Sequence, residues 1–523
     1  MSAEPFGYES WQIRKPAVEA RDGVVASQHY RASAVGAEVL AAGGNAVDAA
    51  LTAGMAIGAL EPWMSGLGGG GFMLVYVAAE HRAYAVDFGM RAPLALDPDD
   101  YPLVAGADAD LFSWPAVREG RNVAGPLSFA VPGLVAGYAL ALERFGSREW
   151  EQILAPAVAL AERGLGVDWP LTLRVAQAAP ALARDPECAR VYLPGGHPPT
   201  GEPDAPQRIH LGKLAATLRR LAEDGPRAFY RGDLARAIVA DVARAGGRLA
   251  LDDLANYEAR IGSPLSVAYR DAVVHTDAGL SAGPALARVL GMLAERHAPG
   301  ERPDPQAFVA YADCLAEAYA ERLATLGEVN PAPTCTTHLS VADRYGNLVA
   351  LTQTLLSIFG SKVMLPATGV LMNNGVMWFD PRPGRPNSMA PGKRPLSNMC
   401  PALIEHGAHR YALGASGGRR ILPAVTQLVS FLCDYGMDPE TAMHAPRIDV
   451  SATPWITADA RLPAAVIAAL EQRDQVLVAQ NAVSPTLFAS PNLAAYDGAR
   501  EVAQGAAFVY SSRAAVRAPG AAR

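Results

Sequence analysis

Two adjacent threonines, Thr336 and Thr337, stand in the stretch PTCTTHLSVADRYGN (333–347). A threonine hydroxyl becomes a useful nucleophile only when a base removes its proton, and the α-amine of an N-terminal threonine can be that base. Such an amine titrates near about 7.7–8.0, which suits proton transfer at neutral pH. Here the Thr336 hydroxyl could free its own amine by attacking the carbonyl of Cys335. Taken alone, the pair favours a plain strand start over this chemistry.

The turn DRYGN (343–347) indicates which residue faces Thr336. A three-residue hairpin loop is common when a glycine supplies its left-handed residue. With that loop, the register places Thr336 opposite Thr354. Directly opposite side chains have Cβ atoms about 4.5–5.5 Å apart, so the two hydroxyls are expected to come within hydrogen-bonding reach. A loop of another length would break this pairing.

Helices are predicted on both sides of this hairpin. Apolar residues recur with helical spacing in five regions, 33–60, 134–164, 212–245, 305–326 and 421–436. The segment SGLGGGGFMLVYV (65–77) indicates a glycine turn that leads into a strand, and strands are also expected at 369–373 and 400–404. The Pro- and Gly-rich segment 185–208 is expected to be a surface loop. Helices, then sheet, then helix predict a layered α/β fold.

The composition limits the classes of function. The chain has 523 residues, 50% of them hydrophobic, which is enough for a large core. A net charge of −7 disfavours a nucleic-acid partner. The most apolar stretch, 39–60, contains Asn45, Asp48 and glycines, and therefore predicts a buried helix and no membrane span. Scattered cysteines and an N-terminus without an apolar secretory region predict a cytoplasmic protein with reduced thiols.

No metal or cofactor is expected. The glycine run Gly68–Gly71 lacks the Gly-Lys-Ser/Thr sequence that completes a phosphate-binding loop. His338 could be a metal ligand in isolation, but no partner stands at ligand spacing. A packing role on the hairpin is therefore favoured for this histidine.

Eight segments spread over most of the chain form one ordered pattern. They are GGNAVDAALTAGMAIGALEPWMSGLGGGGFMLVY (43–76), DFGMRAP (87–93), VPGLVAGYALALERFG (131–146), TTHLSVADRYGNLVALTQT (336–354), MNNG (372–375), PGKRPLSNMCPALI (391–404), GASGGRRI (414–421) and APRI (445–448). Together they resemble the γ-glutamyltransferase family of self-cleaving N-terminal-nucleophile hydrolases. Several long matches in the same order make this resemblance highly specific.

The resemblance implies roles for the residues of a catalytic centre. Thr336 matches the nucleophile, which becomes a new N-terminus when the Cys335–Thr336 bond is cut. Thr354 matches the second threonine, which hydrogen-bonds to the nucleophile, in agreement with the register above. Gly417 and Gly418 match the backbone pair of the oxyanion hole, whose N–H groups stabilise the developing charge.

The resemblance also implies the fold and its division. The family fold is an αββα four-layer sandwich made from two pieces of one precursor. Residues 1–335 would form the large (α) subunit and residues 336–523 the small (β) subunit, together one intertwined domain. Whether the two subunits dimerise further is left open.

The expected substrate site departs from the family at four positions. Where most members place an arginine, an asparagine and two polar residues around the γ-glutamyl head group, this chain has Gly89, Leu356, Gly375 and Trp378. A buried head group without partners costs roughly 1–3 kcal/mol per unsatisfied group. Affinity for a γ-glutamyl group is therefore expected to be lost.

Other polar and aromatic residues are candidates for substrate binding: Arg91, Ser397, Asn398, Trp378 and Arg419. The two arginines could hold an anionic group, although an ordinary surface role is at least as good an interpretation. The serine is kept from a family Ser-Ser pair, whose second member is here the asparagine. The tryptophan suits a flatter, less charged acyl group.

The expected activity is hydrolysis of a small-molecule amide by a self-processed enzyme. Thr336 would form an acyl-enzyme, its α-amine would carry the proton, and water would release the acyl group. The pattern is similar to the amidohydrolase and acylase branches of the family, so the acyl group is expected not to be γ-glutamyl. Two alternatives stay open, namely a γ-glutamyl hydrolase or transferase with a rebuilt pocket for glutathione-like substrates, and a non-catalytic binding protein. The sequence predicts neither the acyl group and the amine nor the choice between hydrolysis and transfer.

Overall fold

The structure is a computed structural model that describes residues 11–520, except 12, 109–113, 202–206, 327–334, 452–454, 481 and 485. Its described α-helices are α1 Tyr30–Ala41, α2 Ala46–Leu60, α3 Leu134–Phe145, α4 Trp150–Arg163, α5 Trp169–Leu182, α6 Pro186–Tyr192, α7 Leu214–Asp224, α8 Asp233–Ala245, α9 Leu251–Ala255, α10 Gly283–Arg296, α11 Pro305–Leu326, α12 Ile421–Cys433, α13 Pro439–His444 and α14 Ala464–Glu471.

Its described strands are β1 Val18–Ala20, β2 Gly23–Ser27, β3 Gly70–Val77, β4 Arg82–Phe88, β5 Leu103–Asp108, β6 Pro115–Val117, β7 Leu165–Gly166, β8 Arg208–Ile209, β9 Arg260–Gly262, β10 Leu265–Tyr269, β11 Ala272–Thr276, β12 Cys335–Asp343, β13 Leu348–Leu356, β14 Ala402–His406, β15 His409–Ser416, β16 Ile448–Asp449, β17 Trp455–Asp459, β18 Gln475–Ala479, β19 Ser490–Asp497, β20 Val502–Ala507 and β21 Ala515–Arg517.

Two seven-stranded antiparallel sheets form the centre of the molecule. The sheet that carries the β12–β13 hairpin, called the hairpin sheet below, has the strand order β21-β2-β12-β13-β3-β4-β9. The second sheet, called the opposing sheet, has the order β1-β20-β19-β15-β14-β11-β10. Because antiparallel strands place alternate residues on opposite faces, each sheet has one face for its partner sheet and one for helices.

Small apolar side chains fill the space between the two sheets. Ala26, Ala342 and Ala350 of the hairpin sheet belong to the same buried cluster as Ala412 and Ala494 of the opposing sheet. Alanine at these positions lets the two backbones pack closely, because little side-chain volume separates them.

Helices cover the outer face of each sheet. Helices α1 to α4 share a core with the hairpin sheet, in which Leu51 of α2 packs in the same cluster as Leu339 and Leu351. Helices α10 to α12 share a second core with the opposing sheet, through residues such as Leu290 and Leu413. The order of layers is helix, sheet, sheet, helix, so the predicted αββα sandwich is confirmed.

Three predicted elements differ from those observed. The helical region 33–60 is two helices, because the chain breaks near Gly43 (φ +82°) and restarts at a capping box made by Asn45. The segment 369–373 forms isolated bridges and no strand. The segment 185–208 was predicted as a loop, but Asp185 caps helix α6 at its start and a proline stands at the first helical position.

Two further findings concern the described residues alone. None of their helices is both long and apolar enough to cross a membrane. Four cysteines are buried and unpaired: Cys188, Cys314, Cys400 and Cys433.

Candidate active site

The hairpin of β12 and β13 brings Thr336 to Thr354. The predicted register holds from the turn as far as Thr337, after which a bulge shifts the pairing and sets Cys335 opposite Leu356. Despite this bulge, the Oγ1 atom of Thr336 donates a hydrogen bond of 3.3 Å to Oγ1 of Thr354. Both threonine side chains are buried. The turn fixed the register, and the bulge makes a local departure from it at the threonine itself.

Thr354 is held in place by backbone on both sides. Its Oγ1 accepts a hydrogen bond of 2.8 Å from the backbone N–H of Leu356. On the other side it pairs with Gly70 of β3. A hydroxyl that accepts from the backbone in this way has a fixed direction, so Thr354 can orient the hydroxyl of Thr336.

The glycine run Gly68–Gly71 allows β3 and the chain before it to approach β13 closely. A Cβ added at Gly69 would lie 2.4 Å from the carbonyl oxygen of Thr354, and one added at Gly71 would lie 2.3 Å from that of Thr352. Real side chains do not tolerate such distances. The run therefore has a structural role, which is to bring β3 and the chain before it close to β13.

Strand β12 and strand β15 of the opposing sheet face each other and run in opposite directions. Ala342 packs in the same cluster as Ala412. Four residues earlier on β12, the ring of His338 lies against Gly414, since a Cβ added there would be 2.5 Å from Cε1 of the histidine. The N-terminal end of β12 is therefore on the same side as the C-terminal end of β15.

The glycine pair follows the end of β15 that lies on the same side as the start of β12, where Thr336 stands. Strand β15 ends at Ser416, and Gly417 (φ +134°) and Gly418 (φ +62°) then turn the chain into helix α12. These φ angles favour glycine. The first N–H groups of a helix have no acceptor within the helix, so this turn can offer donors to an anion. This placement is compatible with an oxyanion-stabilising role for the pair, which stays a prediction.

His338 fastens β12 to its surroundings. Its Nδ1 hydrogen-bonds with Oγ1 of Thr352 at 2.8 Å and its Nε2 with Oγ of Ser340 at 2.9 Å. Nδ2 of Asn492 donates to the His338 carbonyl at 2.9 Å. Complete burial lowers the pKa of His338 to about 3. The ring is therefore neutral at ordinary pH and packs the two sheets together.

The two candidate arginines are engaged with protein groups. Nη1 of Arg419 donates to the Ser451 carbonyl, and the guanidinium lies 5.0 Å from the centre of the Tyr319 ring. Burial lowers the pKa of Arg419. Nε of Arg91 donates to the Gly392 carbonyl at 2.8 Å. Both guanidinium groups thus have structural contacts, and their contact with substrate stays a prediction.

Ser397 and Asn398 lie in a segment anchored by α11. The Ser397 carbonyl accepts a hydrogen bond of 2.6 Å from Nη2 of Arg322, and its Oγ accepts one of 3.2 Å from the N–H of Met399. Ser397 is buried and Asn398 is half-buried. A substrate role for the two residues stays a prediction.

The positions that lack the family's head-group contacts meet at one buried patch, called the apolar cluster below. Its side chains are each at most 3% exposed: Phe72, Met90, Trp114, Ala130, Leu356, Met377, Trp378 and Met399. Gly375 lies against it, because an added Cβ would be 2.8 Å from Sδ of Met90. Gly89 immediately precedes Met90. An apolar environment therefore surrounds the positions at which the contacts to a zwitterionic head group were expected to be lost.

A carboxylate also faces Gly89. Oδ1 of Asp87 accepts a hydrogen bond of 2.9 Å from the Gly89 N–H, and a Cβ added at Gly89 would lie 3.2 Å from this oxygen. Asp87 forms an ion pair with Arg394. A substrate carboxylate placed near Gly89 would meet a negative oxygen, which disfavours it.

Gln28 and Ser416 form a contact that the sequence pattern did not predict. Nε2 of Gln28 donates to Oγ of Ser416, while Oε1 of Gln28 is buried with no partner in the described part of the chain. The string GASGG (414–418) was the available signal, because it fits Gly-x-Ser-x-Gly at a strand-to-helix turn. Among the described residues no histidine hydrogen-bonds to Ser416, so the geometry gives this serine no base.

Comparisons with known proteins agree with this arrangement. The family model described as gamma-glutamyltranspeptidase matches residues 32–334 and 324–487. The chain is 35% identical over 478 residues to the acylase ACY 1 proenzyme of Pseudomonas sp. (strain V22), which covers 83% of each chain. It is 31% identical over 490 residues to the glutathione hydrolase proenzyme of Bacillus subtilis (strain 168), covering 82% of this chain and 80% of that one.

A solved structure shows the same fold. The crystal structure of cephalosporin acylase from Bacillus halodurans has a TM-score of 0.84 to this one, covers 100% of both chains and is 24% identical in sequence. The long family match and the identities above 30% establish the relationship. The chain therefore belongs to the γ-glutamyltranspeptidase family and is an N-terminal-nucleophile amidohydrolase or acyltransferase.

Proposed function

We propose that this chain is a self-processing amide hydrolase whose nucleophile is Thr336 and whose acyl substrate is not a γ-glutamyl group. The observation that carries the proposal is the Thr336–Thr354 hydrogen bond at the bulge of β12. It gives the hydroxyl a defined direction at the place where the β12–β13 pairing shifts. A plain strand start has no need of a bulge or of two buried hydroxyls in contact.

Self-cleavage would proceed by an N-to-O acyl shift. Oγ1 of Thr336 attacks the Cys335 carbonyl, a C–O bond forms, the C–N bond of Cys335–Thr336 breaks, and the hydroxyl proton passes to the freed amine. Water then hydrolyses the ester to a carboxylate on Cys335 and restores the Thr336 hydroxyl. The N–H groups of Gly417 and Gly418 would stabilise the oxyanion in each step.

Turnover of substrate would repeat this chemistry with the new α-amine as the base. The amine accepts the proton of Oγ1 while the hydroxyl attacks the amide carbonyl, and it returns that proton to the leaving amine. Water, activated by the same amine, then hydrolyses the acyl ester. The products are one carboxylic acid and one amine for each water consumed.

The two pieces, residues 1–335 and 336–523, would stay together after cleavage. Strand β12 of the second piece pairs with β2 of the first. Arg513 of the second piece also donates hydrogen bonds to Glu61 at 3.2 Å and to Asp168 at 3.1 Å in the first. Because the pieces share one sheet and a buried ion pair, the cut would not separate them.

The test of this proposal is the state of the purified chain. Wild type is expected to show two fragments on a denaturing gel, with N-terminal sequencing of the smaller one starting at Thr336. Thr336→Ala is expected to stay at 54.8 kDa and to hydrolyse no amide. Thr337→Val is the matched control, because the Thr337 hydroxyl is buried with no partner in the described structure. A wild-type chain that remains intact would contradict self-processing.

A further inference from the structure

Leu356 has an unusual backbone conformation beside the proposed nucleophile. Its φ is +85°, in the left-handed region that residues with a Cβ seldom adopt. Strain of this kind persists only where the surroundings enforce it, and it concentrates at functional sites. In this conformation the Leu356 N–H donates to Thr354 while the side chain packs in the apolar cluster.

The position of Leu356 relates the apolar cluster to the acyl group. Leu356 is the strand partner of Cys335, whose carbonyl is the acyl part of the bond that the proposed self-cleavage breaks. A substrate acyl group would be esterified to the same Oγ1 of Thr336. It would therefore occupy the place beside Leu356 that Cys335 leaves on cleavage.

The side chains packed with Leu356 in this place are aromatic, thioether and aliphatic. The charged groups beside them are in ion pairs: Arg382, 5.7 Å from the centre of the Trp114 ring, with Asp380, and Asp87 with Arg394. A polar group, the Asn374 amide, contacts one member of the cluster. It donates to Sδ of Met377 at 3.4 Å and to Oγ of Ser357 at 2.8 Å. Methionine side chains adapt to ligands of different shape, and aromatic rings suit flat or branched apolar groups.

We propose that the apolar cluster is the acyl subsite, that the acyl group it takes is an uncharged aliphatic or aromatic one, and that Leu356 determines this specificity. The proposal rests on Thr336 being the nucleophile. The hydrolysed bond joins that acyl carbonyl to an amine nitrogen. Water supplies the hydroxyl of the carboxylic acid, and the amine leaves with the proton of Oγ1.

The first experiment compares four p-nitroanilides with the cleaved wild-type protein: hexanoyl, phenylacetyl, γ-glutamyl and glutaryl. The kcat/KM for an apolar acyl group is expected to exceed that for the zwitterionic γ-glutamyl group and for the anionic glutaryl group by at least about 10-fold. A glutaryl anilide hydrolysed faster than both apolar ones, with turnover absent in Thr336→Ala, would overturn the subsite and leave the proposed function standing. Faster hydrolysis of the γ-glutamyl anilide would overturn the subsite together with the claim that the acyl group is not γ-glutamyl, and would leave Thr336 as the nucleophile. No Thr336-dependent hydrolysis of any anilide would overturn both the subsite and the proposed function.

The second experiment changes Leu356 to asparagine. Asparagine tolerates a left-handed φ and is similar in size, so self-cleavage and the melting temperature are expected to be retained. The kcat/KM for the hexanoyl anilide is expected to fall about 10-fold, mainly through KM. Glu501→Asn is the control, because Glu501 has φ +53° in an exposed turn between β19 and β20. Unchanged acyl selectivity in a folded, cleaved Leu356→Asn protein would contradict the role of Leu356.

Discussion

The two sides of Thr336 differ in chemistry. Toward the opposing sheet lie the hydrogen-bonded hydroxyls of Thr336 and Thr354, the neutral ring of His338 with its bond to Thr352, and the glycine turn at Gly417. Toward β3 and β4 lies the apolar cluster around Leu356, with no ionisable member. In the proposed function, the machinery for breaking a bond and the surface that selects the acyl group are therefore separate parts of this fold. By the resemblance, the polar side keeps the residues expected of the family, and the apolar side departs from them.

The largest expected effect is on the polar side, at the glycine turn. Gly417→Ala places a Cβ at φ +134° and 3.0 Å from Cα of Ala489, which displaces the N–H groups of the turn. The kcat is expected to fall about 10²- to 10³-fold, the effect of losing an oxyanion donor. Steady-state kinetics with the best anilide measures it.

The control for that variant is Gly436→Ala. Gly436 also has a positive φ, of +58°, but an added Cβ meets nothing within 4 Å. It is expected to lower stability slightly and to leave kcat unchanged. Equal losses of kcat in the two variants would show that backbone strain alone, and not the place of Gly417, causes the effect.

The next effect concerns the partner of the nucleophile. Thr354→Val keeps the shape of the side chain and removes the hydroxyl that accepts from Thr336. Self-cleavage and kcat are each expected to slow about 10-fold, the equivalent of about 1.4 kcal/mol for one hydrogen bond. A time course of fragment formation on gels and the kcat of the matured protein measure the two rates. Wild-type rates in this variant would exclude an orienting role for Thr354.

A smaller effect is expected on the apolar side. Gly375→Ala brings a Cβ to 2.7 Å from Cβ of Ala130 and 2.8 Å from Sδ of Met90, so the apolar cluster must shift. The KM for apolar acyl anilides is expected to rise several-fold, on the order of the effect of one extra methylene, with little change in kcat. Gly262→Ala, where an added Cβ meets open space, is the control. A fall in kcat without a change in KM would break the separation between the two sides.

The smallest effect on activity is expected from the titration of His338. Its pKa is lowered by burial from 6.5 to about 3, and that of His29 is lowered likewise. The unfolded chain therefore binds protons that the folded chain does not. Stability is full above about pH 6.5 and declines as the pH falls toward 3. The dependence of kcat on pH should show no change from the titration of His338. Any fall in kcat at low pH should reflect protonation of the Thr336 α-amine, whose ordinary pKa is about 7.7–8.0.

Thermal melts of wild type and His338→Gln between pH 4 and pH 8 measure this dependence. The variant is expected to be less stable at pH 8, because it loses contacts, and to lose less stability on acidification. An equally steep decline in both proteins would assign the acid sensitivity to other groups, His29 first among them.

Part of the site could be predicted from local sequence. Turn length fixes strand register, so the pairing from the turn as far as Thr337, and with it the nearness of Thr336 to Thr354, followed from DRYGN. The bulge between Cys335 and Thr337 could not be predicted, because no local pattern indicates that the strand partner of Cys335, Leu356, has a φ of +85°. The two arginines illustrate a second limit. Residue type predicts a positive charge at Arg91 and Arg419. Only the fold shows that each guanidinium already donates a hydrogen bond to a backbone carbonyl of the protein.

The apolar cluster shows that local sequence patterns do not predict which distant residues meet. Each departure from the family was visible by itself, at Gly89, Leu356, Gly375 and Trp378. That these positions converge on one buried patch depends on β4, β13 and the segment after Asn374 meeting at the same end of the hairpin sheet. Such convergence is a property of the packed sheets and is invisible in local patterns.

The most direct test is mass spectrometry of the small fragment after acid quenching during turnover. With the hexanoyl anilide, the fragment is expected to gain the mass of one hexanoyl group, located at its N-terminal Thr336. The γ-glutamyl anilide is expected to add nothing, and the Thr336→Ala chain should not form the fragment. A hexanoyl group found on another residue, or a γ-glutamyl adduct that accumulates in place of the hexanoyl one, would contradict the account.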